Sequence, residues 1–174
     1  MRPLKDRTSG PGRTGKIAAG LVVLGVVLAA CTSGGTLMND DTLEMFATNY
    51  TAAWNSQDAA SVAGFFAEDG SLSVNGSPAV GRQAITQVAE GFMSAFPDME
   101  LFMDALEIRS GQVTYHWTFV GTNTGPGGTG KSVRFSGYEE WTLGDDGLIT
   151  VSMGHFDAED YQHQLEHGFD HGHP

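Results

Sequence analysis

Apolar and polar positions divide the chain into a mainly helical part before Pro97 and an alternating part after it. Before Pro97, apolar residues recur at helical spacing, which predicts helices at 41–56, 58–66 and 82–96. After Pro97, apolar and polar residues alternate, which predicts strands at 100–109, 112–123, 131–143 and 148–155. A shorter strand is predicted at 71–74 and a closing helix at 157–165.

The order of these elements predicts an α+β domain, with the N-terminal helices packed on the concave face of a curled antiparallel sheet. The long strands are joined by short connections, and strands joined in this way lie antiparallel. A long sheet also twists and curls. Helices that lie in the curve leave space against the sheet, so we expect a deep pocket there.

The first thirty residues have the features of a secretory signal. Five basic residues precede an uncharged apolar run at 17–30. That run is too short for a transmembrane helix, which needs about 20 apolar residues. Its end, Leu28 to Cys31, resembles the bacterial lipobox. The resemblance implies that Cys31 is lipidated and anchors the protein to the cell membrane, on the extracytoplasmic side.

The chain therefore divides into a signal at 1–30, a lipidated cysteine and flexible tether at 31–39, one domain at 40–166 and a His- and Gly-rich tail at 167–174. The signal holds five of the nine basic residues and one of the twenty-one acidic residues. The remaining residues carry four basic and twenty acidic side chains, a net charge of −16. Such a surface repels phosphates, so no nucleic-acid partner is expected.

Two further patterns are not interpreted as sites. Residues 125–132 fit the phosphate-binding pattern G-x-x-x-x-G-K-[ST], but residues 131–136 alternate as a strand where that motif requires a helix. Four histidines near the C-terminus lie close enough in sequence to share a metal: His163, His167, His171 and His173. The tail contains Gly168, Gly172 and Pro174, and no buried scaffold fixes the histidines, so neither a metal site nor a cofactor is predicted.

Five segments together carry a resemblance to a known family: Trp54–Asp58, Phe65–Gly70, Val80–Ile85, Trp117–Gly125 and Asp146–Ile149. In this order and spacing they resemble the SnoaL-like polyketide cyclases of the nuclear-transport-factor-2-like superfamily. The resemblance implies a cone of curled sheet and helices around an apolar pocket. Those cyclases use an acidic residue on the last strand, with a histidine two residues before it. These positions hold Gly154 and Ser152 here, so their mechanism does not carry over.

Strand alternation offers other candidates for chemistry. Glu139 shares a side with Phe135 and Trp141, and His155 shares a side with Met153 on the next strand. If both sides face the pocket, Glu139 and His155 are the candidate catalytic pair. The predicted ligand-contacting residues are apolar or aromatic: Tyr50, Trp54, Phe92, Phe96, Trp141 and Met153.

Two alternatives stay open for this pair. A β-bulge at Gly137 would turn Tyr138 or Glu140 inward and leave Glu139 in water. Independently of such a bulge, His155 lies at a strand end, and the alternative is that it is exposed to solvent. His116 alternates with apolar neighbours and is expected on the outer face of the sheet.

Three functions are consistent with this reading. The first is a lipid-anchored protein that binds a small apolar molecule in its pocket, with no assigned reaction. The second is a cyclase, isomerase or dehydratase that uses Glu139 and His155 on a hydrophobic carbonyl compound. The third is an interaction module at the membrane that forms a homodimer through the outer face of its sheet.

Overall fold

The computed structural model describes residues 39–109 and 112–169. The predicted signal at 1–30, Cys31, the tether up to residue 38 and the last two histidines, His171 and His173, lie outside the described residues. The elements follow one another in the order α1 (Asp40–Asn55), α2 (Ala59–Ala63), β1 (Phe66–Val74), β2 (Ser77–Val80), α3 (Arg82–Ala95), β3 (Glu100–Arg109), β4 (Gln112–Thr122), β5 (Ser132–Leu143), β6 (Ile149–Phe156) and α4 (Ala158–His167).

The six strands form one sheet in the order β2-β1-β6-β5-β4-β3. Sequential neighbours pair antiparallel, as their short connections predict. The expectation of a purely antiparallel sheet is wrong in one place, because β1 and β6 pair parallel and make the sheet mixed. No short connection joins these two strands, which come from opposite ends of the domain. The alternation within each strand therefore carried no information about their relative direction.

Helices α1 and α3 pack on the concave face of the sheet and bury one side each. Tyr50 of α1 and Ile85 of α3 are fully buried at the centre of this layer. The C-terminal end of α1 is fixed to the edge strand by Asn55, which hydrogen bonds to both backbone groups of Leu101, at 2.7 Å and 2.9 Å. The Asn55 amide thus pairs with one backbone donor and one backbone acceptor of β3, and it covers part of the open edge of that strand.

Helix α4 is attached to β5 by a similar contact. The buried Gln164 amide accepts from the backbone N–H of Arg134 at 2.7 Å and donates to the carbonyl oxygen of the same residue at 2.9 Å. Tyr161, one turn earlier, packs against Phe135 and Phe156. These contacts hold α4 beside the end of the sheet where β5 begins and β6 ends.

The glycine-rich segment between β4 and β5 is a connection pinned to the end of α3. The N–H of Gly125 donates to the carbonyl oxygen of Ala95 at 3.1 Å, and strand β5 begins at Ser132. A Cβ atom at Gly125 would lie 1.9 Å from the carbonyl oxygen of Ser94, so only glycine fits. A phosphate-binding loop of this pattern leads into a helix, whereas this segment leads into strand β5. The segment is therefore not such a loop, in agreement with the prediction from the sequence.

Candidate functional site

A cavity of about 50 Å³, measured as the space open to the centre of a water-sized sphere, lies between the sheet and the helices α1 and α3. It is large enough for more than one water molecule. Its described walls are almost entirely apolar and mostly aromatic: Trp54, Leu72, Val74, Phe92, Leu101, Trp117, Phe119, Phe135, Glu139, Gly154 and Phe156. Val74, Phe92 and Phe156 are the half-buried lining residues, which places the mouth between α3 and the ends of β1 and β6.

Glu139 is the one charged side chain among the described lining residues, and it is 6% exposed. Strand β5 pairs with β4 in unbroken register through Gly137, so no bulge occurs there. Alternation therefore turns Phe135, Glu139 and Trp141 inward and leaves Tyr138 and Glu140 outside. The prediction that Glu139 faces the pocket is confirmed, and the alternative based on a bulge at Gly137 is wrong.

Three donors from three elements converge on one oxygen of Glu139. Oε2 accepts from the Ser152 hydroxyl at 2.6 Å, the Trp141 indole N–H at 2.9 Å and the Tyr50 hydroxyl at 3.1 Å. The other oxygen, Oε1, has only a long contact of 3.4 Å with the same Tyr50 hydroxyl. Oε2 is therefore held in place, while Oε1 remains available as an acceptor.

Burial raises the pKa of Glu139, although the hydrogen bonds from Ser152, Trp141 and Tyr50 lower it. Desolvation exceeds their effect because neutral donors stabilise the carboxylate without supplying an opposite charge. The ion pairs within residues 39–109 and 112–169 lie elsewhere, between Glu107 and its neighbours and between His155 and Glu140.

Two buried tyrosines surround this carboxylate. Burial raises the pKa of the Tyr50 hydroxyl, and the nearby charge of Glu139 raises it further. Burial likewise raises the pKa of Tyr115, whose hydroxyl shares a hydrogen bond of 2.7 Å with Thr51 and whose ring stacks on Trp141 at 4.9 Å. Both hydroxyls therefore keep their protons at neutral pH, and Tyr50 remains a donor to Glu139.

His155 does not share this space, so the expected pairing of Glu139 with His155 is wrong. Ile149 pairs with Leu143, but Val151 pairs with Thr142, so Thr150 is an extra residue in β6. Such a bulge reverses the alternation beyond it. Residues 151, 153 and 155 turn outward.

Met153 is consequently 42% exposed and lies outside the cavity, contrary to expectation. The His155 ring stacks on the outward-facing Tyr138 with 4.9 Å between ring centroids. Its Nε2 lies 3.9 Å from a carboxylate oxygen of Glu140.

The remaining predicted ligand contacts fall into two groups. Trp54 and Phe92 line the cavity as expected. Tyr50, Phe96 and Trp141 are fully buried but are not among its lining residues. Tyr50 and Trp141 still act on the site because both donate to Glu139, whereas Phe96 packs on Phe119 with ring centroids 5.1 Å apart.

Sequence reasoning missed Ser152 and Gly154 as inward-facing residues, because the bulge that turns them inward is invisible in the alternation of β6. It also did not assign Trp117 and Phe119 to the cavity, although the alternation of β4 was sufficient to place them on the same face as Tyr115.

Two lining residues, Trp54 and Trp117, have indole N–H groups without a hydrogen-bond partner among the described residues. The buried indole N–H of Trp117 has no hydrogen-bond acceptor within the described residues. The indole N–H of Trp54 also lacks a partner with hydrogen-bond geometry, although it lies near enough to the Tyr50 hydroxyl to lower the pKa of that group. Leaving a buried donor unpaired costs about 1–3 kcal/mol.

Residues 47–152 match the family model of the SnoaL-like domain. The chain belongs to the SnoaL-like domain family. No protein of curated function matches its sequence.

Within the described residues, no three or more histidine, cysteine, aspartate or glutamate side chains are grouped to hold a metal ion. No helix in 39–109 or 112–169 has the length and apolarity needed to span a membrane.

Solved structures share the fold of this SnoaL-like domain. TsrD from Streptomyces laurentii is 18% identical, with a TM-score of 0.65 over 74% of this chain and 97% of that chain. A candidate polyketide cyclase from Xanthomonas campestris is also 18% identical, with a TM-score of 0.62 over 70% and 95%. A protein with a ketosteroid isomerase-like fold from Catenulispora acidiphila, solved with trimethylamine, is 16% identical, with a TM-score of 0.62 over 69% and 91%.

The SnoaL-like cyclases place their acidic residue where this chain has Gly154. In the structure, Gly154 lines the cavity and is the register partner of Glu139 on the neighbouring strand. A Cβ atom at residue 154 would lie 3.6 Å from Cγ of Glu139. The carboxylate of Glu139, on β5, therefore occupies the space in which the resemblance places an acidic side chain from β6.

Proposed function

We propose that the domain binds a small, mostly apolar molecule in its cavity, with Glu139 as the polar contact. The observation that carries this proposal is a single carboxylate facing a space otherwise lined by aromatic and aliphatic side chains. Concave apolar sites with a few fixed polar groups are typical of small-molecule binding. Three donors fix Oε2, so the side chain needs no further ordering to offer a ligand its Oε1, whose described hydrogen bond is the long one from Tyr50.

A second candidate function is proton transfer on a hydrophobic carbonyl compound. The raised pKa of Glu139, caused by burial, is the observation that favours it, because a base with a pKa nearer neutrality is a better proton-transfer catalyst. Glu139 would take a proton from the carbon next to the carbonyl and return it to the same molecule at another position. Trp117 lines the cavity and its indole N–H has no acceptor among the described residues, so we assign it as the donor to the oxygen that becomes negative. His155 has no part in this scheme, because it lies on the outer face.

One experiment separates the two functions. We would titrate the protein with acetophenone in D₂O and follow both the protein resonances and the exchange of the methyl protons of the ketone by NMR. Shifts confined to cavity residues support binding, and enzyme-dependent exchange supports proton transfer. Glu139→Gln should abolish exchange, and Glu140→Gln, an outward-facing change one residue away, should retain it. Exchange that persists in a folded Glu139→Gln protein contradicts a catalytic role for this residue.

We also propose that the domain is attached by a lipid on Cys31 to the outer side of the bacterial membrane. The basic segment, the apolar run and the lipobox-like end of the signal support this proposal. Mass spectrometry of the mature N-terminus should find a diacylglyceryl group on Cys31, and wild-type protein should partition into detergent. A Cys31→Ser protein that partitions in the same way contradicts lipid anchoring.

A further inference from the structure

We infer that the ligand of this cavity is a small organic cation of the trialkylammonium type, held by ring faces and by Glu139. This inference rests on the proposed binding function and specifies the chemistry of the bound molecule. Three independent features of the structure support it: the aromatic wall, the uncompensated carboxylate and the charge of the surrounding protein.

The wall of the cavity is built mainly from aromatic rings. Six of the eleven lining residues are aromatic: Trp54, Phe92, Trp117, Phe119, Phe135 and Phe156. Adjacent rings meet at steep angles, for example 81° between Trp117 and Phe135 and 79° between Trp54 and Phe92. The ring planes are therefore steeply inclined to one another around one space. A cation attracts the negative face of each ring, and a tryptophan ring most strongly, while its alkyl groups fill the apolar volume.

The carboxylate in this wall has no cationic partner in the described structure. Its three hydrogen bonds come from a serine, a tryptophan and a tyrosine, all neutral donors. The described ion pairs involve other carboxylates. A buried charge without an opposite charge is unfavourable, and burial accordingly raises the pKa of Glu139. A cation in the cavity supplies the missing charge, whereas a neutral ligand leaves it uncompensated.

The charge of the protein favours the same class of ligand. Residues 31–174 carry four basic and twenty acidic side chains. A net negative field attracts cations to a low-dielectric cleft and repels carboxylates, phosphates and sulfates. An anionic ligand would in addition have to approach Glu139 without a described basic side chain in the lining.

Choline and 3,3-dimethylbutan-1-ol form a matched pair of probes, because they have the same shape and differ in charge. We would titrate the full chain in neutral detergent with each by calorimetry, and with acetophenone as an uncharged apolar reference. At a pH above the pKa of Glu139, we expect choline to bind about tenfold more tightly or better, which corresponds to about 1.4 kcal/mol. Glu139→Gln should remove this preference, and Glu140→Gln should keep it.

A pH series tests the inference even if Glu139→Gln does not fold. The titratable groups that face Glu139 are Tyr50 on α1 and Tyr115 on β4, and burial raises the pKa of both hydroxyls. The inward residues of β6, Ser152 and Gly154, do not titrate. The preference for choline should therefore fall as the pH is lowered through the pKa of Glu139, and saturation with choline should lower that pKa in NMR titrations.

The outcomes are distinguishable. If acetophenone or the neutral alcohol binds as tightly as choline or more tightly, the cation inference is wrong and binding in the cavity stands. If acetophenone binds and neither member of the pair does, the cation inference is also wrong. If none of the three probes binds, both the cation inference and the proposed binding function are contradicted.

Discussion

Ser152 makes the shortest of the hydrogen bonds to Glu139, and its removal gives the sharpest test of the site. Its hydroxyl donates to Oε2 at 2.6 Å, and both side chains are buried. Ser152→Ala removes the donor without adding volume, so packing around it changes little. The Trp141 and Tyr50 donors remain in place. The substitution therefore isolates one hydrogen bond to a buried carboxylate.

The expected loss of stability in Ser152→Ala depends on the charge of Glu139. A hydrogen bond to a charged group contributes about 1.5–3 kcal/mol, and one between neutral groups about 0.5–1.5 kcal/mol. The pKa shift follows from the difference between these two losses, about 1–1.5 kcal/mol, so the lost donor should raise the pKa of Glu139 further, by about one unit. Burial already raises this pKa above its unfolded value. The contribution of Glu139 to stability is thus greatest at low pH and is lost as the pH rises through its folded pKa.

Urea unfolding at about pH 8 measures the loss of stability when Glu139 is charged, and unfolding at about pH 4 measures the loss when it is neutral. For a denaturant slope of about 2 kcal/mol per molar urea, the midpoint of Ser152→Ala should fall by about 1 M at the higher pH and by about half as much at the lower. Thr150→Val is the control, because the Thr150 hydroxyl donates at 3.0 Å to an uncharged group, the backbone carbonyl oxygen of Thr142. Its effect should be the same at both pH values. If the loss of stability in Ser152→Ala is also the same at both pH values, Glu139 is not ionised at the centre of this network, and the reasoning is refuted.

Further predictions follow from the glycines, the edge strand and the outer face of the sheet. Gly137→Ala should destabilise the fold by about 1–3 kcal/mol, because its Cβ would lie 2.4 Å from the carbonyl oxygen of His155. Gly91→Ala, in open space within α3, should instead stabilise it by about 0.5–1 kcal/mol in the same urea measurement. Asn55→Ala should cost about 1–3 kcal/mol and speed amide exchange in β3, because two hydrogen bonds to that strand are lost. The exposed Met153 lies on the face expected to form a homodimer, so sedimentation should show a dimer for the wild type and a monomer for Met153→Glu. A wild-type monomer at high concentration contradicts that expectation.

The alternation along β5 was sufficient to place Glu139 inside the domain. Phe135, Glu139 and Trp141 share one parity, and the unbroken pairing of β5 with β4 preserves it. The helical spacing of α1 and α3 likewise identified Tyr50, Trp54 and Phe92 as inward residues. These features are local, because a side chain in a regular helix or strand points in a direction that its own backbone period determines. The sequence was therefore informative wherever the element stayed regular.

Tertiary structure decided the rest of the site. The extra residue Thr150 in β6 reverses the alternation, so Ser152 and Gly154 turn inward and His155 turns out. A bulge depends on how two strands pair, and the parallel pairing of β6 with β1 depends on segments at opposite ends of the domain. The donors to Glu139 come from α1, β5 and β6, with Tyr50 lying 89 positions away in the chain. Sequence spacing carries no information about such long-range contacts. The inward direction of Glu139 was thus predictable from its own strand, while its partners on α1 and β6 and the reversal of His155 were determined only when these elements came together.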